Sequence, residues 1–476
     1  MIKAMSTPTW LDSPVMGLSL LAILLLNSVA AAAGGLTITD AWRAALTHDP
    51  KFAAAQAERD VGLARKSEGN ALWGPTLSAT GSVGRTDLDS RTQGAFFSAP
   101  GFGSTNGVDF HTNVDGGTAT HWALIAEQPL FDSARLADSA AQKGAAQMAE
   151  AQFRAARQEL MLRSAKAYFD VLNARVQLQT LVQLRAAAEK ARLETQARYD
   201  AGDLPVTDLR EAQANADTID VQELDARSAV TLSEAAFTDL TGLDATDFAE
   251  LTDAATAQMP APDPLDSWMQ RAVRGSPQLA IQQQVVTTAT AQVGRYDALT
   301  SPHVSLIAQI GQDSSHGNGD FGSADITGRQ AMIGLQATIP LYTGGMRSAQ
   351  RHEAKAQEHQ AEAQLDGADQ QVRQQTRTAW LSLTTAAARV QALERLRVSA
   401  ASRRDATRLG AQIGGRTALE LLGAEADYQR AGAEFQRAQS DWLLAGLQLK
   451  ALAGELTAAD LEQIDGRLRQ APPGAR

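Results

Sequence analysis

The stretch Ala298 to Met346 reads ALTSPHVSLIAQIGQDSSHGNGDFGSADITGRQAMIGLQATIPLYTGGM, and its hydropathy period changes twice. On either side the pattern is helical, with alanine, glutamine and charged residues at three- and four-residue spacings. Inside it the period drops to two. Val304, Leu306, Ala308 and Ile310 alternate with His303, Ser305 and Gln309, and Ile333, Leu335, Ala337 and Ile339 alternate with Gly334, Gln336 and Thr338. Two strands therefore interrupt a long helical chain. The glycine-, serine- and aspartate-rich segment Gly311 to Gly328 has no apolar core of its own and is expected to be a solvated loop.

The same design occurs earlier. Pro50, Ala71-Leu72, Pro75 and Ser78 recur as Pro277, Ala298-Leu299, Pro302 and Ser305 at one offset, 227 (277 minus 50). After the strands the offset becomes 212 (380 minus 168): Ala167-Tyr168 matches Ala379-Trp380, Asp208 matches Glu420, and Leu240-Thr241-Gly242 matches Leu452-Ala453-Gly454. The chain reads as a tandem duplication, each half running helix, strand, loop, strand, long helix, helix.

The expected organisation is a signal peptide over 1–33, a first structural repeat over 34–242, an acidic proline-containing linker over 243–264, a second repeat over 265–454 and a loose C-terminal tail over 455–476. The signal reading rests on Lys3, the apolar run Leu18 to Leu26 and Ala31-Ala32-Ala33 before Gly34. Met5 and Met16 are alternative starts, because the leading region with Asp12 is long for such a signal. No later apolar run has the roughly 18 residues a membrane helix needs, so any crossing must be made by strands.

Strands are expected at about Thr76 to Asp87 and Thr118 to Leu130, with Phe96, Phe97, Phe102 and Phe110 in the loop between them. From Asp132 to Asp200 there is no proline, and Phe153, Leu160, Ala167, Ala174, Leu181 and Ala188 recur every seven residues. Leu365, Val372, Ala379, Ala386, Leu393 and Ala400 repeat the pattern. A sustained heptad implies a left-handed supercoil of helices about 100 Å long at 1.5 Å per residue. Short turns at Ala201 to Pro205 and Ala411 to Gly415 then lead into returning helices, with Thr417 and Glu420 as a capping pair.

Composition narrows the function. Apolar residues make up 44% of the 476, but aromatics only 5%, which suits closely packed alanine-rich helices. A net charge of -11 with no dense basic patch argues against a nucleic-acid partner. The chain has no cysteine, which excludes disulfides, thiolate metal sites, cysteine nucleophiles and an acylated terminus. Gly317 to Gly322 fits a dinucleotide fingerprint by letter, but it joins two strands where that fingerprint needs a strand and a helix. His352 and His359 suit a solvated helix face better than a metal site, and no catalytic constellation has supporting context. No cofactor or enzymatic activity is expected.

Four strands of about 10 to 12 residues are long enough to cross a bilayer obliquely, yet four cannot close a barrel, since the smallest outer-membrane barrels have about 8. An open edge in lipid leaves backbone groups unpaired at several kcal/mol each. Several copies must then share one barrel, and three copies give twelve strands. The competing reading is a small soluble sheet.

The duplication, Ile339 to Gly345 (IPLYTGG), Ala167 to Ala174 (AYFDVLNA) and Gly415 to Leu422 (GRTALELL) together resemble the TolC-type outer-membrane efflux and secretion channels over nearly the whole mature length. The resemblance implies a mixed fold: long α-helical coiled-coil hairpins plus four transmembrane β-strands per chain, assembled as a homotrimeric α/β barrel. It implies a cell outer-membrane location, bound by outer-membrane lipid, with a long periplasmic extension. The function implied is the exit duct of a tripartite export system, for type I protein secretion or multidrug efflux. Its partners would be a periplasmic adaptor (membrane fusion) protein and an inner-membrane ABC or RND transporter. The alternative is a periplasmic coiled-coil scaffold or adaptor without a membrane barrel, although no lipoyl-like module or anchor is visible.

The resemblance also points to the helical tips. Asp200, Asp203 and Asp208 lie at one, and Arg416 and Glu420 at the other. Arg416 is expected to pair with Asp208, and with Thr207, across neighbouring helices or subunits as a periplasmic gate latch. Glu420 matches the position of an inward acidic ring at the pore constriction. Gly423 stands where the family carries a second acid, and Ala411 where an aromatic is common, so the constriction should be weaker here.

Overall fold

Proline at the first helical position gives up an amide that has no intrahelical acceptor, so Pro50 and Pro277 each start a helix. A computed structural model describes residues 35–251, 262–297, 302–320 and 322–469; the expected signal peptide lies outside the described residues. α1 (Ile38–His48) stops at Asp49, whose carboxylate accepts the Phe52 N–H at 3.0 Å and caps α2 (Pro50–Ala71). Next come β1 (Thr76–Ala99), β2 (Gly103–Asp132), α3 (Ser133–Asp200) and α4 (Val206–Thr241). After the short β3 (Glu250–Leu251) the order runs again as α5 (Leu265–Gly275), α6 (Pro277–Asp297), β4 (His303–Gly319), β5 (Gly322–Thr338), α7 (Met346–Gln412) and α8 (Ala418–Leu452). α9 (Ala458–Asp465) and β6 (Leu468–Arg469) follow.

The heptad positions do what their spacing requires. Leu160, Leu181 and Ala188 are buried along the 68 residues of α3, as are Val372, Ala379, Leu393 and Ala400 along the 67 of α7. Near the strands the helices lie side by side as α2, α3, α6, α7; toward the tips the order is α4, α3, α8, α7. The long helices α3 and α7 thus run the full height, while shorter ones share the remaining places.

Midway along, a collar holds the main apolar core. Tyr168, Phe169, Phe237, Ile38 and Leu461 are wholly buried there, and the Phe248 ring lies 4.9 Å from those of both Tyr168 and Phe237. The Tyr168 hydroxyl shares its proton between Leu36 O at 2.8 Å and Ala249 O at 2.7 Å, and burial pushes its pKa well above the ordinary tyrosine value. At the equivalent place on α7, Trp380 Nε1 donates to Asp263 O at 3.0 Å. Each long helix therefore uses an aromatic of the repeated Ala-Tyr/Ala-Trp pair to tie down the chain between the helical hairpins.

Residues 252–261 of the expected linker and 470–476 of the expected tail lie outside the described residues; the described parts are more ordered than their composition suggests. Leu456, Leu461 and Ile464 enter the collar core, and β6 pairs with β3, so residues 455–469 are not loose. Part of the expected linker, Phe248 and Ala249, is likewise buried.

The sheet orders its strands β1-β2-β4-β5, all antiparallel, leaving β1 and β5 at the edges. Register assigns the faces. Leu77, Ala79 and Val83 on β1 share one face with Trp122 and Leu124 on β2, Leu306, Ala308 and Ile310 on β4, and Ile333 and Leu335 on β5. This apolar face is open to the surroundings: Leu77 and Ile333 are each 75% exposed. The other carries Ser78, Thr80, Ser82, His121, Gln309, Asp313 and Gln330.

Two expectations are corrected. Gly311 to Gly328 is not a loop: β4 runs through it to Gly319 and β5 begins at Gly322. Polar cross-strand pairs sustain them, with Arg329 Nε donating to Gln312 at 3.1 Å, Ser314 opposite Thr327, and His316 bonding Asp325. Likewise β1 and β2 extend well beyond the expected 76–87 and 118–130, so Phe96, Phe97 and Phe110 lie in strands and only Phe102 lies at the turn.

Candidate functional site

Both helical hairpins turn in the same way. Gly202 and Gly414 take positive φ, +83° and +75°, and the next amides reach back five residues, Asp203 N to Arg198 O and Gly415 N to Gly410 O, each at 2.9 Å. The equivalence is 212 positions apart (414 minus 202), matching the sequence repeat.

Between these turns lies a cleft of about 790 Å³ lined by Glu194, Arg198, Asp208 and Glu211 from one hairpin and by Arg408, Arg416, Glu420 and Glu425 from the other. Asp208, Arg416 and Glu420 are thus brought together; Thr207 does not line the cleft but donates its hydroxyl proton to Asp208 Oδ1 at 3.2 Å. Within one chain Arg416 is taken by Glu420, Nη1 to Oε1 at 2.7 Å, and among the described residues no ion pair joins it to Asp208.

Glu420 also has a structural task. Thr417 is the N-cap of α8; its hydroxyl accepts the Glu420 N–H at 3.1 Å, and Glu420 Oε2 accepts the Thr417 N–H at 2.8 Å. The Thr417 amide, and then the Arg416 guanidinium, hold the Glu420 carboxyl below its ordinary range. Capping was legible from the Thr-x-x-Glu spacing. The Arg416–Glu420 pair, at i and i+4, could also have been read from it.

Among the described residues no helix is long and apolar enough to cross a membrane, and no cluster of acidic residues and histidines is arranged to hold a metal ion. Gly317 lies in β4 and Gly322 opens β5, so a strand and not a helix follows this motif.

A family model described as outer membrane efflux protein matches residues 42–243 and 268–455. The chain belongs to that family. The alkaline protease secretion protein AprF of Pseudomonas aeruginosa is 29% identical over 447 residues, covering 93% of this chain and 89% of that one. The outer membrane protein TolC of Vibrio cholerae is 24% identical over 457 residues, covering 94% and 97%. Among solved structures, the outer membrane protein VceC of Vibrio cholerae superposes with a TM-score of 0.68 at 20% identity, covering 88% of this chain and 96% of that one. The TolC-type resemblance is borne out, and the outer membrane efflux protein is an outer-membrane exit duct. The scaffold or adaptor alternative is not favoured.

The cap has a pH signature. Because the folded pKa of Glu420 is depressed, the stability it gives α8 is present above the ordinary glutamate value and is lost as pH falls through the lowered one. Hydrogen exchange at Leu419 to Leu422, corrected for its intrinsic rate, should rise on that acidification in the wild type and stay level in Glu420→Gln.

Proposed function

We propose that three copies close one barrel and one helical tube, forming a passive duct that partners open at its periplasmic end. The observation that carries this reading is a matched pair of open edges. The sheet runs β1-β2-β4-β5, and the helices that join it run α2, α3, α6, α7 in the same order. One neighbour is therefore positioned to cover both layers at each side. Between the collar and the tips the outer helices carry exposed apolar residues, Val221, Leu224 and Leu232 on α4 and Leu396, Val398 and Leu409 on α7, that such a neighbour would bury. Backbone groups on β1 and β5 would find partners the same way.

At the tips, the proposed latch joins Arg416 of one copy to Asp208, with Thr207 beside it, on the next. An exposed pair is worth only about 0 to 1 kcal/mol, but a threefold ring repeats it at three places that open together. Glu420 competes for the same guanidinium, which gives Arg416 a resting partner when the latch opens. The Glu420 carboxylates of three copies would form a cation-favouring ring. A periplasmic adaptor and an inner-membrane transporter are the partners that would release the latch. The likeness to AprF, a protease secretion protein, supports type I secretion of a polypeptide driven by an ABC transporter.

Arg416→Ser should raise the conductance of the closed channel in planar bilayers several-fold; an unchanged closed state rejects the latch. Deleting the chain from its host should remove a polypeptide from the medium without sensitising the cells to small toxic molecules. The reverse pattern would make the cargo a small molecule.

A further inference from the structure

The two strand hairpins differ in length, and the longer one changes character where it passes the shorter. Asn113 marks the level: its Nδ2 donates to Asp320 Oδ1 at 2.9 Å and its Oδ1 accepts the Asp320 N–H at 2.8 Å, fastening the β4–β5 turn to β2. Beyond that point Ser90 to Ala99 and Gly103 to Thr112 continue as a two-stranded arm, about 33 Å long at roughly 3.3 Å per residue, with His111 Nδ1 3.4 Å from Asp320 Oδ2 at its base. The register breaks at Thr86/Leu88 just below the arm and at Thr92/Ala95 and Ala95/Phe97 within it, which bend the hairpin.

Following the register through those bulges shows that the apolar side swaps faces. In the sheet the apolar side carries Leu77, Val83 and Trp122. On the arm that same side becomes charged, with Asp89 opposite Asn113 and Arg91 opposite His111, and His111 Nε2 bonds Asp89 at 2.7 Å. The opposite side, polar lower down at Ser78, Thr80 and His121, gains apolar residues: Leu88 faces Val114 at the foot of the arm, and beyond the polar Ser90–Thr112 pair Ala95 faces Val108 and the Phe97 and Phe110 rings meet at 5.7 Å. Lipid does not suit this arrangement, because it would meet the charged side. The apolar side continues the face turned toward the duct axis.

We infer that the Phe97 and Phe110 face of each arm packs against the same face of its neighbouring copies, roofing the cell-surface mouth of the duct. This rests on the shared-barrel reading. The occupant is a second copy of this chain because the face lies on the side that three copies enclose. A charged outer side keeps the roof in water, and an apolar inner side gives it a reason to close.

The absence of cysteine makes the test direct. Phe97→Cys on the inner side and Phe96→Cys on the outer side are purified as full-length protein, and their native mass is measured before a short thiol cross-linker is added. Phe97→Cys should yield several-fold more cross-linked dimer than Phe96→Cys. Three-chain particles in which Phe97→Cys stays uncross-linked, or in which both variants cross-link equally, overturn the roof and leave the barrel standing. Single-chain particles before cross-linking overturn the shared barrel itself. Phe110→Cys reports on the same face if Phe97→Cys does not assemble.

Discussion

Backbone amides at the edges of a four-stranded sheet need partners, and this chain cannot supply them from its own strands. Among the described residues β1, 24 residues long, and β5, 17 residues long, each pair on one side only. In water such edges invite aggregation, and in lipid each unpaired group costs several kcal/mol. The rest of the architecture is consistent with that requirement. An apolar belt covers one sheet face, the helices follow the strands in the same lateral order, and exposed apolar residues line the outer helices between the collar and the tips. Taken singly, each of these would be a liability for a soluble monomer.

Much of this was legible in the sequence because it is periodic. The seven-residue recurrence through Leu160, Leu181 and Ala188, with no proline from Asp132 to Asp200, set the length and packing side of α3. The strands were found but cut short. Polar residues such as Ser314, Ser315 and Asp313 read as a solvated loop, whereas cross-strand partners hold them extended. A strand that leaves an apolar environment loses its hydropathy signal before it loses its hydrogen bonds. The tail was misjudged for a related reason: Leu456, Leu461 and Ile464 are too sparse to announce a core until Ile38 and Trp42 are brought beside them.

At the tips the residue types were legible but the pairing was not. Asp208, Arg416 and Glu420 do share one cleft, the grouping that the family resemblance implied. Yet the nearest carboxylate to Arg416 within the chain is Glu420, one helical turn away. Local geometry settles that contact, whereas a pairing between copies depends on a neighbour that sequence spacing does not describe. Glu420 also shows how one residue can serve two levels: its carboxylate caps a helix while carrying the charge proposed for the pore.

The central claim is that the open edges are closed by identical chains. The most direct measurement is the native mass of the particle gently extracted from outer membranes in detergent. The account predicts a stable assembly of three chains that separates only on heating. A stable single chain that keeps its strands and leaves their edge amides protected would contradict it.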